Sequence, residues 1–193
     1  PISFSGAIAA YWSLCPDNVE FLHKRFRFMC QNMSRLDAWG QVYALRSLTV
    51  YARHCFKNPN NRENDESEAA FWDDINENES IHADLLLLLQ AAKRAMQELN
   101  PAVVLAAATL IFYTAPQTQV SCIARPLVRL LYEAPSTVEL ALDAISSITA
   151  VYPHIFIPHI YHFYIRKSDK KEIRESKLRI LETLANVTTL EPI

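Results

Sequence analysis

Three histidines near the end of the chain have a spacing that could bind a metal ion. His154, His159 and His162 form the pattern H-x4-H-x2-H, so the last two can share one helix face. Helical metal sites usually combine histidines at i and i+4 with a carboxylate, and no acidic residue lies close to these three in the sequence. Pro153 and Pro158 also interrupt the helix that would hold the ligands. We therefore expect surface or helix-end histidines and no bound metal.

The serine and cysteine residues lack the patterns of catalytic nucleophiles. No G-x-S-x-G segment is present, and the acidic residues are concentrated in one region of the chain instead of being paired at a cleft. Cys15, Cys30, Cys55 and Cys122 include no C-x-x-C pair, and each falls in an apolar helical pattern that is typical of a buried free thiol. We expect no catalytic residue and no cofactor, and the thiols fit a reducing compartment.

The basic segment 166–179 is a third group of residues that could have a function. Its seven basic residues stand against Asp169, Glu172 and Glu175, which leaves a net charge of +4. The candidates for contact with a partner or a membrane are Arg166, Lys167, Lys170, Lys171 and Arg174. Such a cluster attracts an anionic lipid surface or an acidic partner. The alternative, which the intervening acidic residues favour, is a solvated helix face with i,i+4 ion pairs.

The elements that position these residues are predicted to be helices. Of 193 residues, 50% are hydrophobic, 21% are charged and only two are glycine. So few glycines argue against an all-β fold, whose tight turns need positive φ angles, and against a Gly-rich phosphate-binding loop. The net charge of −2 gives no indication of nucleic-acid binding. The stretch Ile2–Trp12 is too short and too irregular in polarity for a secretory or membrane-spanning segment.

A hydrophobic pattern recurs along the chain at a nearly constant interval. Its equivalent first positions in five copies are Ile8, Val42, Val103, Val138 and Ile173. The steps between them are 34, 61, 35 and 35 residues, and the long step equals one period plus about 26 inserted residues. Helical units with this period bury their apolar faces against their neighbours, so the pattern predicts an all-α fold, an α-solenoid of helix pairs. We expect about five pairs over residues 1–193, as part of a longer solenoid.

Residues 57–80 differ in composition from the rest of the chain. They contain two basic and eight acidic residues, and they lack hydrophobic periodicity apart from Phe71, Trp72 and Ile75. We interpret this stretch as a flexible acidic insertion between two repeats. The alternative is an acidic docking segment in which Phe71 and Trp72 anchor a partner.

Two short strings have the form of trafficking signals. Asp84-x-x-x-Leu88-Leu89 has the acidic dileucine form, and Tyr152-Pro-His-Ile155 has the tyrosine-based form. A signal must be extended and exposed, whereas the repeat needs core or turn residues at both places. We therefore interpret both strings as coincidental.

Other strings occur in the order that one known family shows. Asp37-Ala-Trp39-Gly40-Gln41 is similar to a D/E-x-W-G-Q string, and Asn100-Pro-Ala-Val103-Val104 is similar to an N-x-A-V-V string that opens a later helix. Pro126-Leu-Val128-Arg-Leu130-Leu131 has a counterpart in the same family. These strings resemble the β-adaptins, the β large subunits of heterotetrameric adaptor protein complexes.

Within that family, the stretches 15–30, 51–53 and 163–186 most resemble the β subunits of adaptor protein complex 3. Lys170 departs from the pattern, since the family tends to have proline there, and this concerns the local turn. No clathrin box of the form L-Φ-x-Φ-[DE] is present. The resemblance covers the middle of the trunk and leaves out only the acidic insertion.

The resemblance implies a right-handed trunk of HEAT- or armadillo-like helix pairs with a scaffolding, non-catalytic role. In such complexes the β trunk holds the medium and small subunits and pairs with the other large subunit. An Arf-family GTPase recruits the complex from the cytoplasm to Golgi, endosomal and transport-vesicle membranes, where it associates peripherally. The assembled complex binds cargo tails and sorts them to the lysosome or vacuole.

The alternative is a HEAT or armadillo scaffold of another class. A nuclear transport carrier would show a ladder of Asn and Trp along its inner groove, yet only Trp39 and Asn100 lie near the starts of corresponding helices. A phosphatase regulatory subunit would be recognised by its association with a phosphatase core.

Overall fold

The computed structural model describes residues 2–16, 18–56, 60 and 82–185, with the backbone alone for residues 2 and 3. Most of the predicted insertion 57–80 lies outside the described residues, as do Asp17, Asn186 and Val187. Every regular element in the described ranges is an α-helix or a 3₁₀-helix, which confirms the all-α prediction. The chain divides into two units, Pro1–Gln119 and Val120–Ile193.

The first unit is built from helices in the order of the chain. They are α1 (Ile2–Leu14), α2 (Glu20–His23), α3 (Phe26–Asn32), a 3₁₀ turn (Met33–Arg35), α4 (Ala38–Cys55), α5 (Ala83–Ala95), α6 (Pro101–Thr114) and α7 (Gln117–Val120), the last at the boundary of the unit. Helix α4 packs against both α1 and α6, and α3 packs against α5. Helices that are equivalent in the repeat therefore contact each other, as stacked helix pairs require.

The repeated seam predicted from the sequence is buried. Its first positions are at most 7% exposed in all five copies: Ile8, Val42, Val103, Val138 and Ile173. The positions seven residues later are fully buried in the last three copies, at Leu110, Ile145 and Ile180, and only partly buried in the first two. Apolar burial at these positions therefore holds each helix against its neighbours within its unit.

Gly40 lies at a close approach of α4 to Ser5 of α1. A Cβ atom added there would overlap the Ser5 side chain and lie 2.8 Å from Oδ1 of Asp37. Asp37 precedes α4 and is of a residue type that often caps helices, but its carboxylate accepts a hydrogen bond from the Ser5 hydroxyl and makes no capping bond. Glycine is therefore required at this position by packing, because the backbone is ordinary helix.

Helix α6 has the start that its sequence predicts. The Ala102 N–H donates to Oδ1 of Asn100 at 2.9 Å, and Pro101 occupies the first turn, where its missing N–H is not needed. The segment between α1 and α4 is less regular. It is broken into α2, α3 and a 3₁₀ turn, and Phe21 is 64% exposed.

The second unit follows the same plan with shorter outer helices. Its elements are a 3₁₀ turn (Ser121–Ile123), α8 (Ala124–Arg129), a 3₁₀ turn (Leu130–Tyr132), α9 (Pro135–Thr149), two further 3₁₀ segments (Pro153–Ile155 and Ile157–Phe163) and α10 (Lys171–Leu184). Helix α9 packs along α10, and the segment Ile157–Phe163 packs against both α8 and α10. This segment is a 3₁₀-helix of seven residues, and Pro158 in its first turn agrees with a short element.

Candidate functional site

The five basic residues singled out from the sequence are all exposed, around the turn that enters α10. Arg166 and Lys167 lie in the turn, Lys170 is the N-cap residue of α10, and Lys171 and Arg174 lie on its first turn. The Arg174 guanidinium donates to the Lys167 carbonyl at 2.9 Å, so this contact brings the helix and the turn together. Residues from two elements therefore form one basic surface.

The turn itself is closed by hydrogen bonds between Arg166 and Asp169. The Asp169 N–H donates to the Arg166 carbonyl at 3.1 Å, and the Arg166 N–H donates to Oδ2 of Asp169 at 2.9 Å. Lys167 and Ser168 occupy the two central positions of this four-residue turn and are exposed. The backbone carrying the basic side chains is thus held in one conformation.

A buried ion pair fastens the turn to α10. Nζ of Lys177 lies 2.7 Å from Oδ2 of Asp169, and the two side chains are 6% and 12% exposed. Lys177 also donates to the Tyr164 carbonyl at 3.4 Å. Desolvation is the largest influence on the Asp169 carboxyl and opposes its ionisation, but hydrogen bonds from Lys177 and from the Arg166 backbone, with the charges of both residues, hold its pKa below the ordinary value.

The burial of Lys177 changes the composition of the basic surface. Lys177 is one of the seven basic residues of segment 166–179, for which a solvated helix face is one interpretation, but it is buried in the structure. The signal was available, because Ile173, Lys177, Ile180 and Leu184 share the apolar face of α10 at helical spacing. The one i,i+4 pair found on this helix joins Lys171 to Glu175 at 3.7 Å and is exposed.

A cavity of about 220 Å³ lies beside the turn. Its lining includes Tyr132, Glu133, His162, Arg166 and Lys170. The Arg166 guanidinium lies over the Tyr132 ring, 5.5 Å from its centroid, which is a cation–π contact. The lining combines the basic residues Arg166 and Lys170 with the acidic residue Glu133, beside the paired Asp169 and Lys177.

His162 is held by Tyr132 in a contact that favours the neutral ring. Its Nδ1 lies 2.6 Å from the Tyr132 hydroxyl, which can donate to it when the ring is neutral. Desolvation, followed by the positive charges of His159 and Arg166, lowers the pKa of His162. His159 and His162 have ring centroids 6.1 Å apart, and in the described part of the chain no three His, Cys, Asp or Glu side chains converge as metal ligands would.

The cysteines differ in exposure more than the sequence predicts. Cys30 is fully buried, and desolvation, with a smaller effect of Asp84, raises the pKa of its thiol to about 12. Cys15 and Cys122 are partly buried, whereas Cys55 at the end of α4 is exposed, so the expectation of burial is wrong for Cys55. None of the four forms a disulfide.

Both strings with the form of trafficking signals are folded into the structure. Leu88 and Leu89 of the dileucine-like string are at most 1% exposed, and Ile155 of the tyrosine-based string is 5% exposed. Neither string is extended and accessible in the described fold. Over the described residues, no helix combines the length and the apolar character that a membrane crossing requires.

Comparison with known proteins gives consistent results over the whole chain. The "AP-3 complex subunit beta" of Dictyostelium discoideum is 32% identical over 93% of this chain, and the "AP-3 complex subunit beta-1" of Bos taurus is 30% identical over 96%. The matches cover 19% and 18% of those proteins, so the chain spans about a fifth of the length of these relatives.

A structural comparison agrees with the sequence comparison. A structure described as a homology model of the full-length AP-3 complex in an intermediate open conformation superposes with a TM-score of 0.72 and 25% identity, covering 98% of this chain and 33% of that chain. The family model for the adaptin N terminal region matches residues 1–193. These matches, together with the packed helices described above, show that the chain belongs to the adaptin N-terminal region family.

Proposed function

We propose that the chain is part of a scaffold subunit of a vesicle-coat adaptor complex, of the β type found in adaptor protein complex 3. The observation that carries this proposal is the family match over residues 1–193, since the relatives along that match are named as AP-3 complex β subunits. The proposed role is intracellular protein transport, with cargo sorted from the Golgi or endosomes to the lysosome or vacuole.

The proposed partners are those of an adaptor trunk. They are the other large subunit, the medium and small subunits, an Arf-family GTPase and, through the assembled complex, cargo tails. We propose a cytoplasmic protein that associates peripherally with Golgi, endosomal and transport-vesicle membranes. Stacked helix pairs support this role, because each pair is fixed by its neighbours and offers loops and outer faces for binding.

We propose a non-catalytic role, and the environments of the perturbed titratable groups support it. The hydrogen bond and charge of Arg27 lower the pKa of Asp84 in a contact of 2.7 Å between α3 and α5. Pairing with Lys177 lowers the pKa of Asp169, and burial in the core raises the pKa of Cys30. Each of these shifts has a structural cause in packing between helices, which is the common alternative to an active site.

The domain organisation is also a proposal. We infer that residues 1–193 form about five helix pairs of a longer trunk and that residues 57–80 are an acidic insertion between two pairs. Limited proteolysis of the folded chain tests the second point. Cleavage first between Lys57 and Ser80 is expected, and resistance of that interval while other sites are cut would contradict it.

Purification of the full-length protein from cells tests the scaffold assignment. We expect the other large subunit and the medium and small adaptor subunits to be retained in stable association. Recovery of nuclear-transport cargo or of a phosphatase catalytic subunit in their place would overturn the proposal.

A pair of variants on α9 makes this test specific for the trunk. Leu142 is fully buried, so Leu142→Asp places a carboxylate in the helix stack and should abolish subunit retention. Leu140 lies on the same helix and is 60% exposed, so Leu140→Asp should leave the fold intact, as circular dichroism would verify. Retention of all subunits by an unfolded Leu142→Asp trunk would show that another region of the protein holds them.

A further inference from the structure

We propose that residues 161–174 form a contact with an anionic lipid membrane, through lipid phosphates bound by the basic turn and apolar side chains inserted beside it. This inference deepens the proposed function, because it assigns membrane contact to particular residues of this chain. It depends on the geometry of the turn and α10, so its test is separate from the test of subunit assembly.

The first observation is the amount of charge held on one small surface. Five basic residues are exposed within a stretch of nine: Arg166, Lys167, Lys170, Lys171 and Arg174. The neighbouring acidic residue, Asp169, forms an ion pair with the buried Lys177 and so does not neutralise them. Clusters of four to eight basic residues are typical of binding to anionic lipids. Glu172 and Glu175 reduce the local charge but leave it positive.

The second observation is the apolar surface that accompanies this charge. Ile165 is 44% exposed, Tyr164 is 38% exposed and Tyr161 is 58% exposed, immediately before Arg166 in the sequence. A half-exposed aliphatic side chain leaves apolar surface in contact with water, and tyrosine is favoured at the boundary between lipid and water because its ring is apolar and its hydroxyl is polar. Exposed aromatic and aliphatic side chains interleaved with basic ones are the composition of an interfacial membrane contact.

The kind of cation favours lipid over an acidic protein surface. Three of the five exposed basic residues are lysines. Lysine is depleted in protein interfaces, and its compact ammonium group keeps its hydration well, which suits it to the wet headgroup layer. Only Arg166 and Arg174 carry planar guanidinium groups, and both are already engaged, with Tyr132 and with the Lys167 carbonyl.

The third observation is that the turn is fixed before any ligand arrives. Hydrogen bonds close it between Arg166 and Asp169, and the buried Lys177 joins it to α10. A surface that is already ordered loses less conformational entropy on binding than a flexible basic segment does. The turn therefore presents its charges and Ile165 together.

Co-sedimentation of the full chain with phosphatidylcholine vesicles, with or without phosphatidylserine, tests the electrostatic part. We expect binding only when phosphatidylserine is present. Lys167→Gln combined with Lys171→Gln should weaken it about 30-fold, the equivalent of about 1 kcal/mol for each charge removed near the surface. The matched control removes the exposed charges of Arg46 in α4 and Arg125 in α8, and it should bind within about twofold of the wild type.

A second substitution separates insertion from charge attraction. Ile165→Ser should weaken binding about fivefold, from the loss of the exposed part of one aliphatic side chain, and the loss should persist at raised salt. Leu140→Ser alters a comparably exposed aliphatic residue on α9 and should have no effect. Circular dichroism of each variant establishes that the fold is retained.

Three results would overturn the proposal. They are equal binding to neutral and anionic vesicles, equal losses for the turn variants and their controls, and binding of an acidic adaptor subunit through Lys167 and Lys171 with no affinity for anionic vesicles. Loss of subunit co-purification with vesicle binding retained would instead reject the proposed scaffold function and leave this contact in place.

Discussion

Replacing Lys177 by Met tests whether a buried charge pair holds the basic turn in place. Methionine has a similar length and can pack against the same apolar neighbours, so the substitution removes the charge and the long hydrogen bond to the Tyr164 carbonyl but keeps the packing. The Asp169 carboxylate, 12% exposed and 2.7 Å from Nζ of Lys177, then loses its cation. Breaking a buried pair in this way costs about 3–5 kcal/mol. We expect a loss of about 3 kcal/mol, because the Arg166 N–H remains as a partner for Asp169.

Urea denaturation followed by two probes locates the effect. Trp12 and Trp39 lie in α1 and α4, and the sequence has no tryptophan after position 72, so an unfolding transition in tryptophan fluorescence reports the unit Pro1–Gln119. Far-ultraviolet circular dichroism reports the helices of both units. Lys177→Met should move the circular dichroism transition to lower urea, and a smaller shift of the fluorescence transition would locate the loss in Val120–Ile193.

The double variant Asp169→Asn with Lys177→Met provides the matched comparison. It replaces the charge pair by neutral groups of similar size, so it should recover most of the stability that Lys177→Met loses. Two results would refute the reasoning. One is a free energy of unfolding for Lys177→Met within about 0.5 kcal/mol of the wild-type value. The other is a double variant that is as unstable as Lys177→Met. Either result would show that the unpaired carboxylate is not the cause of the instability.

The pH dependence gives an independent check of the same pair. The folded-state pKa of Asp169 is lowered, so the unfolded chain takes up the proton first as the solution is acidified. Its contribution to stability is complete above the unfolded value, about 3.9, and is lost as the pH falls through the folded value. The wild type should therefore lose stability relative to the double variant only below about pH 3.9. A constant difference throughout the acid range would contradict the assignment.

Three further predictions concern the first unit. Gly40→Ala should lower the free energy of unfolding of this unit by about 1–3 kcal/mol in tryptophan-monitored urea denaturation, because the new methyl group overlaps Ser5. Gly6→Ala, whose methyl group meets open space, should be neutral or stabilising. Equal effects of the two substitutions would contradict the close approach at Gly40. Asn100→Ala should cost about 1 kcal/mol through loss of the α6 cap, and an unchanged midpoint would show that this bond contributes nothing. Alkylation followed by mass spectrometry should modify Cys55 in the native protein and Cys30 only on unfolding, and equal rates would show that the core is open.

The repeat could be predicted from the sequence because a solenoid places the same physical demand on each unit. Val103, Val138 and Ile173 stand 35 residues apart, and each must be apolar to pack its helix against a neighbour. The start of α6 was predictable for a local reason, since Asn100 and Pro101 satisfy the first turn whatever the rest of the fold does. Periodic and local sequence patterns therefore predicted most of the architecture.

The features that the sequence did not reveal depend on contacts between distant residues. Asp37 has the type and position of a helix cap, but the approach of α1 brings Ser5 to its carboxylate. Lys177 has the type of a surface residue, but the turn that follows the segment Ile157–Phe163 brings Asp169 to it, eight residues away. Neither partner is at a helical spacing, so no pattern within one element could identify the pair.

The buried pair is better explained by the conformation it specifies than by the stability it adds. Within the described ranges, Lys177–Asp169 is the ion pair with both side chains buried, and such pairs often contribute no more than apolar residues of the same size would. Apolar residues at 169 and 177 could pack α10 equally well, but they could not accept the Arg166 N–H, so the turn would keep only the backbone bond from the residue 169 N–H to the Arg166 carbonyl. A closed turn keeps Arg166 and Lys167 beside the first turn of α10. The ion pair therefore fixes the charged turn before α10 in one conformation, so that its basic side chains form one surface.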